Sequence, residues 1–124
     1  MRRHRGFTLI EVVVVLAIIG LLVSLALPRY LHSIDATREA VLKENLRTVR
    51  STIDKFYADT GRYPESLDEL VERRYLRALP RDPIVERSDA WVLVPPDGDA
   101  KGRVFDLRSS APGDSSDGTP YGQL

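Results

Sequence analysis

Cysteine is absent from the 124 residues, so no disulfide staples this fold and no thiol chemistry is open to it. Histidine is scarce as well, with His4 near the start and His32 further along. A metal site built on cysteine and histidine therefore lacks its usual ligands. Neither a glycine-rich phosphate loop nor a nucleophile elbow occurs. These shortages point away from catalysis, and a non-enzyme is expected. Net charge is also missing, because 18 basic residues balance 18 acidic ones. Nucleic-acid binding draws on a concentrated positive surface, and no nucleic acid is expected as a partner.

What the sequence does have is one long apolar run. From Phe7 to Leu27 there are 21 residues, of which Thr8, Glu11, Gly20 and Ser24 are not plainly apolar. A helix of this length is about 31 Å long and spans a bilayer. Arg2, Arg3 and Arg5, with His4 among them, form a basic head of the kind that stays on the cytoplasmic side and orients a first membrane segment. Glu11 is the fifth residue of the apolar run, and a carboxylate carried towards the bilayer centre costs on the order of 2.5–3.5 kcal/mol. Such a group marks a functional site whose partner has to be found. A secretory signal peptide is the competing reading, with Ser24-Leu25-Ala26 as a small-x-small cleavage pattern. Against it stand the length of the run, Glu11, and a helical pattern that continues past the cut.

Pro28 falls within that continuing pattern, so a kink or loosened turn is expected there, not a helix end. Beyond it, Leu31, Ile34, Val41 or Leu42, Leu46, Val49, Ile53 and Phe56-Tyr57 recur at spacings of three and four and predict one buried stripe. Arg38, Glu39, Lys43, Glu44, Arg47, Arg50 and Asp54 predict a solvated face, with Glu39 and Lys43 in the favourable i, i+4 order. The helix should stop at Asp59-Thr60-Gly61, where glycine suits the left-handed terminus. That makes it about 50 residues long, or roughly 75 Å. Tyr63-Pro64-Glu65-Ser66 then opens a short second helix, with Leu67, Leu70, Val71 and Leu76 on one side, and Leu79-Pro80-Arg81-Asp82-Pro83 ends it. The hydrophobic period next shortens to two. Residues 89–94 and 103–108 predict an antiparallel hairpin, with Trp91 and Leu93 on one face and a turn-rich connection at 95–102. The expected fold class is α+β, a long helix packed under a small antiparallel sheet, because two strands alone are marginal.

The tail from Ser109 to Leu124 is rich in Ser, Gly, Asp and Pro. It reads as an irregular loop, with a short last strand expected around Thr119-Pro120-Tyr121. Asp114 and Asp117, with neighbouring serines and backbone carbonyls, supply the oxygen atoms that calcium takes six to eight at a time, while Asx and Ser turns explain the same residues without a metal. Arg73, Arg74, Arg77 and Arg81 form a basic run, broken by Glu72 and Asp82, whose ordinary role is a solvated face or a contact between subunits, with DNA capture as the alternative. His32 has the ordinary role of a surface helix residue.

Gly6-Phe7-Thr8-Leu9-Ile10-Glu11 resembles the processing signal of type IV prepilins and type II secretion pseudopilins. The resemblance extends over most of the chain to the major pseudopilins of type II secretion through Tyr63-Pro64, Leu79-Pro80-Arg81-Asp82-Pro83, Trp91, Phe105-Asp106-Leu107-Arg108-Ser109 and Asp117-Gly118-Thr119-Pro120-Tyr121. It implies that a prepilin peptidase cuts between Gly6 and Phe7 and that the new Phe7 amine is N-methylated. Glu11 would then pair with the Phe7 ammonium of a neighbouring subunit. It divides the chain into a leader (1–6), a transmembrane and filament-core helix (7–27), an amphipathic half (28–60) and a globular head (61–124). Loss of residues 1–6, which carry three of the basic residues, leaves a formal side-chain balance of −3.

The implied setting is the bacterial inner membrane, with the head periplasmic. The implied partners are lipid before assembly, copies of the same chain in a helical filament, minor pseudopilins and an inner-membrane assembly platform. A minor pilin of a type IV pilus, and a periplasmic binding module on an uncleaved anchor, are the alternatives. Two departures from the family stand out. Ile84-Val85 follows Asp82-Pro83 where Trp-Gly is usual. The final loop is shorter and more serine-rich than the calcium-binding loop of the family, which leaves Asp114 and Asp117 as the residues expected to hold calcium.

Overall fold

The computed structural model describes residues 6–124, so Arg2, Arg3, His4 and Arg5 of the expected leader lie outside the described residues. Two compact units are found, residues 1–35 and 36–124. Helix α1 spans Leu9–Thr60 and runs through Pro28 without ending there. In the first unit its side chains are exposed from Leu9 to Ser33. Among the described residues α1 is the one helix long and apolar enough to cross a membrane.

In the second unit α1 buries Leu42, Leu46, Val49, Ile53 and Phe56, each at most 1% exposed. Their spacing of four, three, four and three keeps them on one face. This settles two choices that periodicity leaves open, since Val41 and Tyr57 point outward. Leu31 is also exposed and takes no part in the stripe. Gly61 ends the helix with φ +76 and returns its N–H to the Tyr57 carbonyl at 2.8 Å.

Helix α2 covers Leu67–Glu72 and is shorter than the pattern suggests. Ser66 caps it by accepting from the Glu69 N–H at 3.3 Å. At its other end the Arg74 N–H bonds the Val71 carbonyl and the Tyr75 N–H bonds the Leu70 carbonyl. That is the Schellman arrangement, with Arg74 at φ 65 in the position glycine usually holds. Leu76 therefore packs on the core from outside the helix. Arg62 and Glu69 lock the entry to α2 through two parallel contacts of 2.9 Å.

The sheet has two strands, β1 (Val92–Val94) and β2 (Asp106–Arg108), paired antiparallel as Val92 with Arg108, Leu93 with Leu107 and Val94 with Asp106. Both are shorter than the alternation predicts. Before β2, the Arg103 and Val104 N–H groups both turn to the Pro64 carbonyl, and the Tyr63 N–H takes the Lys101 carbonyl. The backbone that would extend the hairpin is spent on the approach to α2. Gly102 makes that approach possible, because a Cβ on it would lie 2.2 Å from the Tyr63 carbonyl oxygen. Trp91 lies buried outside the ladder, its indole N–H on the Pro80 carbonyl at 3.0 Å. Leu93 does not share its burial and is 43% exposed. The expected last strand is replaced by a single bridge, Asp114 to Pro120, and a 3-10 turn at Tyr121–Gln123. Val104, Leu107, Trp91, Leu67 and Leu70 close the core over the α1 stripe, so the expected α+β packing of helix under sheet is what the chain adopts.

Two glycine exchanges test this backbone in opposite directions. Gly102→Ala should destabilise the head by about 2 kcal/mol or more, because both its φ of +106 and the Tyr63 carbonyl exclude a side chain. Arg74→Gly should stabilise it by about 0.5–1 kcal/mol by relieving a left-handed arginine. Denaturant titration of the full chain in detergent reads both.

The Arg62 guanidinium holds the Glu69 carboxyl down at about 2, well below its ordinary value. A depressed carboxylate contributes stability that is present above about pH 4.5 and is lost as pH falls towards 2. The melting temperature should therefore decline across that window, and Glu69→Gln should flatten the decline. An unaltered acid limb in Glu69→Gln would show that the pair contributes nothing.

Candidate assembly segment and head loop

The residues expected to carry function fall in both units. In the first, Gly6, Phe7 and Thr8 precede the helix, and Phe7 is 84% exposed. A Cβ on Gly6 would meet nothing within 4 Å, so no crowding in this chain calls for glycine there. Thr8 accepts the Glu11 N–H on its hydroxyl at 3.2 Å. Thr8 and Glu11 thus stand as N-cap and N3 of α1, in the Thr-x-x-Glu order of a capping box. The Glu11 charge also suits the positive end of the helix dipole. The Thr8-Leu9-Ile10-Glu11 order is the sequence signal for this local role, which the burial of a charge in lipid overshadows. Glu11 remains exposed between Phe7, Ile10, Val14 and Val15.

In the second unit the final loop is built around carboxylates. Glu39, expected on the solvated face with Lys43, is instead buried at 6% exposure. Its Oε1 accepts the Ser116 N–H and its Oε2 the Ser116 hydroxyl, both at 2.7 Å. Arg50 also leaves the solvated face. It reaches Asp106 at 2.7 Å and the Leu107 and Leu124 carbonyls at 3.0 and 2.7 Å. By contrast Arg38, Lys43, Glu44, Arg47 and Asp54 are exposed as expected.

Asp114 is exposed and enters the loop through its backbone bridge to Pro120. Asp117 accepts from the Ser115 hydroxyl and from the Thr119 N–H. Chiefly because of the Ser115 hydroxyl, its carboxyl is held down at about 2. Among the described residues no three acidic or imidazole side chains converge as metal ligands would. Of the two aspartates expected to hold calcium, Asp117 has its Oδ1 engaged by the Ser115 hydroxyl and the Thr119 N–H.

A third carboxylate had no signal in the sequence beyond its place between two prolines. Asp82 is completely buried. It accepts from the Ile84 and Val85 N–H groups at 2.9 and 3.3 Å and from the Ser109 hydroxyl, while its own N–H closes a bridge to Arg87. It joins the turn before β1 to the chain leaving β2. Of the basic run, Arg73 lies 3.6 Å from Glu69, and Arg77 and Arg81 are exposed. His32 is exposed on the helix.

Comparison with known proteins agrees with this geometry. The model of the prokaryotic N-terminal methylation motif matches residues 1–27. The type II secretion system core protein G of Klebsiella pneumoniae is 32% identical over 99 residues, covering 67% of this chain and 71% of that protein. The protein of the same name from Xanthomonas campestris pv. campestris is 30% identical over 121 residues, covering 90% and 83%. The type IV major pilin protein PilA of Myxococcus xanthus is 34% identical over 68 residues, 55% of this chain and 31% of the pilin. No solved structure matches. An exposed apolar helix capped by Thr8 and Glu11, a cysteine-free α+β head, and likeness across nearly the whole chain lead to one assignment: the chain belongs to the type II secretion system core protein G family.

Proposed function

We propose that this chain is a structural subunit of a type II secretion pseudopilus and carries out no reaction of its own. A prepilin peptidase cuts the Gly6–Phe7 bond and the Phe7 amine is methylated. The chain then waits in the bacterial inner membrane as a single-pass protein, amino end cytoplasmic and head periplasmic, until an assembly platform adds it to a helical filament that helps export folded proteins. The observation that carries this reading is Glu11, a carboxylate at the first turn of a helix whose surrounding side chains are apolar and unburied by the chain itself. Lipid suits those side chains but penalises the carboxylate. A filament core satisfies both, because neighbouring helices cover the apolar surface and a neighbour's Phe7 ammonium neutralises Glu11 where water is excluded. The methylation motif over residues 1–27 and an accessible Gly6–Phe7 junction support the processing step. The likeness to the type IV pilin stops at 68 residues, so it bears on the anchor and less on the head.

Glu11→Ala should leave cleavage intact and lower filament yield and secretion by about tenfold or more, the scale of losing one charge pair of 1.4 kcal/mol or above. Mass spectrometry of the mature chain, beside a secretion assay, separates the two steps. A mature chain beginning at Leu27, or full assembly by Glu11→Ala, overturns the proposal.

A further inference from the structure

The loop after β2 returns to α1, where Arg50 holds the Leu124 carbonyl at its end and Glu39 holds Ser116 in its middle. We propose that the Glu39 carboxylate closes the 109–124 loop onto the helix in place of a bound calcium ion, so that the loop of this head keeps its shape without a metal. Glu39 is 6% exposed, and both its oxygens are engaged by Ser116, one by the N–H and one by the hydroxyl, each at 2.7 Å. The Tyr121 hydroxyl stands 3.5 Å from Oε1. A cation bridging helix and loop needs oxygen lone pairs directed at a common point. Here the loop directs hydrogen-bond donors at the helix instead, and the helix answers with the negative charge. Polarity is reversed relative to a calcium site.

The rest of the loop is organised the same way. Asp117 turns one oxygen, Oδ1, on donors within its own turn, the Ser115 hydroxyl and the Thr119 N–H. The Ser115 N–H returns to the Thr119 carbonyl at 2.8 Å and the Gly118 N–H to the Ser115 carbonyl at 3.0 Å. The serine-rich composition that makes this loop poor in calcium ligands makes it rich in donors for a carboxylate. Closure also falls to Glu39 for a reason of desolvation: a buried carboxylate without donors is strongly disfavoured, and Glu39, 6% exposed, takes its donors from Ser116 and Tyr121 of the loop. Loop and helix therefore order together.

The test uses the full chain in detergent, with calcium chloride or a chelator, followed by thermal melting and by hydrogen exchange of the 113–121 amides. The expected result is one melting midpoint and one Ser116 exchange rate in both conditions. Glu39→Gln should accelerate Ser116 exchange by about tenfold or more, the scale of one charge-assisted hydrogen bond, equally with and without calcium. Ser116→Ala, which removes only the hydroxyl, keeps the test decisive if the Glu39 variant does not fold, and should accelerate exchange in the neighbouring amides. A midpoint raised by calcium, exchange slowed by calcium, or unchanged exchange in the variants overturns the proposal. None of these readouts involves filament assembly, so they hold whatever the secretion assay of Glu11→Ala returns.

Discussion

Everything in the head rests on the apolar stripe of α1 from Leu42 to Phe56. The sheet consists of two strands of three residues each, far too little to stand alone in water. Leu107 and Val104 are completely buried because the stripe lies beneath them. Phe56 at the far end takes Tyr75 edge-on with ring centres 5.2 Å apart, and the Arg62 guanidinium lies 5.1 Å from its ring centre. With so little regular structure and no disulfide, the remaining chain must be attached piece by piece.

Carboxylates make those attachments. Glu69 gathers the entry to α2 through Arg62, Asp82 ties the turn before β1 to Ser109, and Glu39 ties the helix to Ser116. Asp82 and Glu39 are largely or wholly buried, and a buried charge is tolerable only when its lone pairs are filled. That requirement makes each of these two contacts an all-or-none constraint on loop position. A leucine in place of Asp82 would pack, but it would leave the Ile84 and Val85 N–H groups without their acceptor. In a head whose loops outweigh its strands, such groups define the fold more narrowly than apolar contacts do.

This division explains what was legible in the sequence. The stripe, the helix end at Gly61, the opening of α2 after Tyr63-Pro64-Glu65-Ser66 and the antiparallel hairpin follow from periodicity and local turn chemistry, which need no knowledge of distant residues. The Gly6-Phe7-Thr8-Leu9-Ile10-Glu11 motif was legible through its resemblance to a known processing signal, while the Thr8–Glu11 cap within it was not. What else stayed hidden was set by partners far along the chain. Glu39 looks like a surface residue beside Lys43 until Ser116, 77 positions away, is brought to it. The hairpin looks longer than it is because Arg103 and Val104 are drawn to Pro64. Helix α2 looks longer because nothing local announces a left-handed arginine at position 74.

The apolar stretch before Pro28 obeys a different rule from the stripe beyond it. The head's buried apolar cluster begins at Leu42, whereas Val12, Val15, Ile19, Leu22 and Val23 are 43% to 59% exposed. Apolar surface on this scale does not rest against water. Lipid alone would accept the leucines and valines but not Glu11, whereas in the proposed filament other copies of the same helix would accept both. In the filament proposed above, the residue that weakens the anchor is the one that favours leaving it, so Glu11 would be the point where membrane residence and assembly compete.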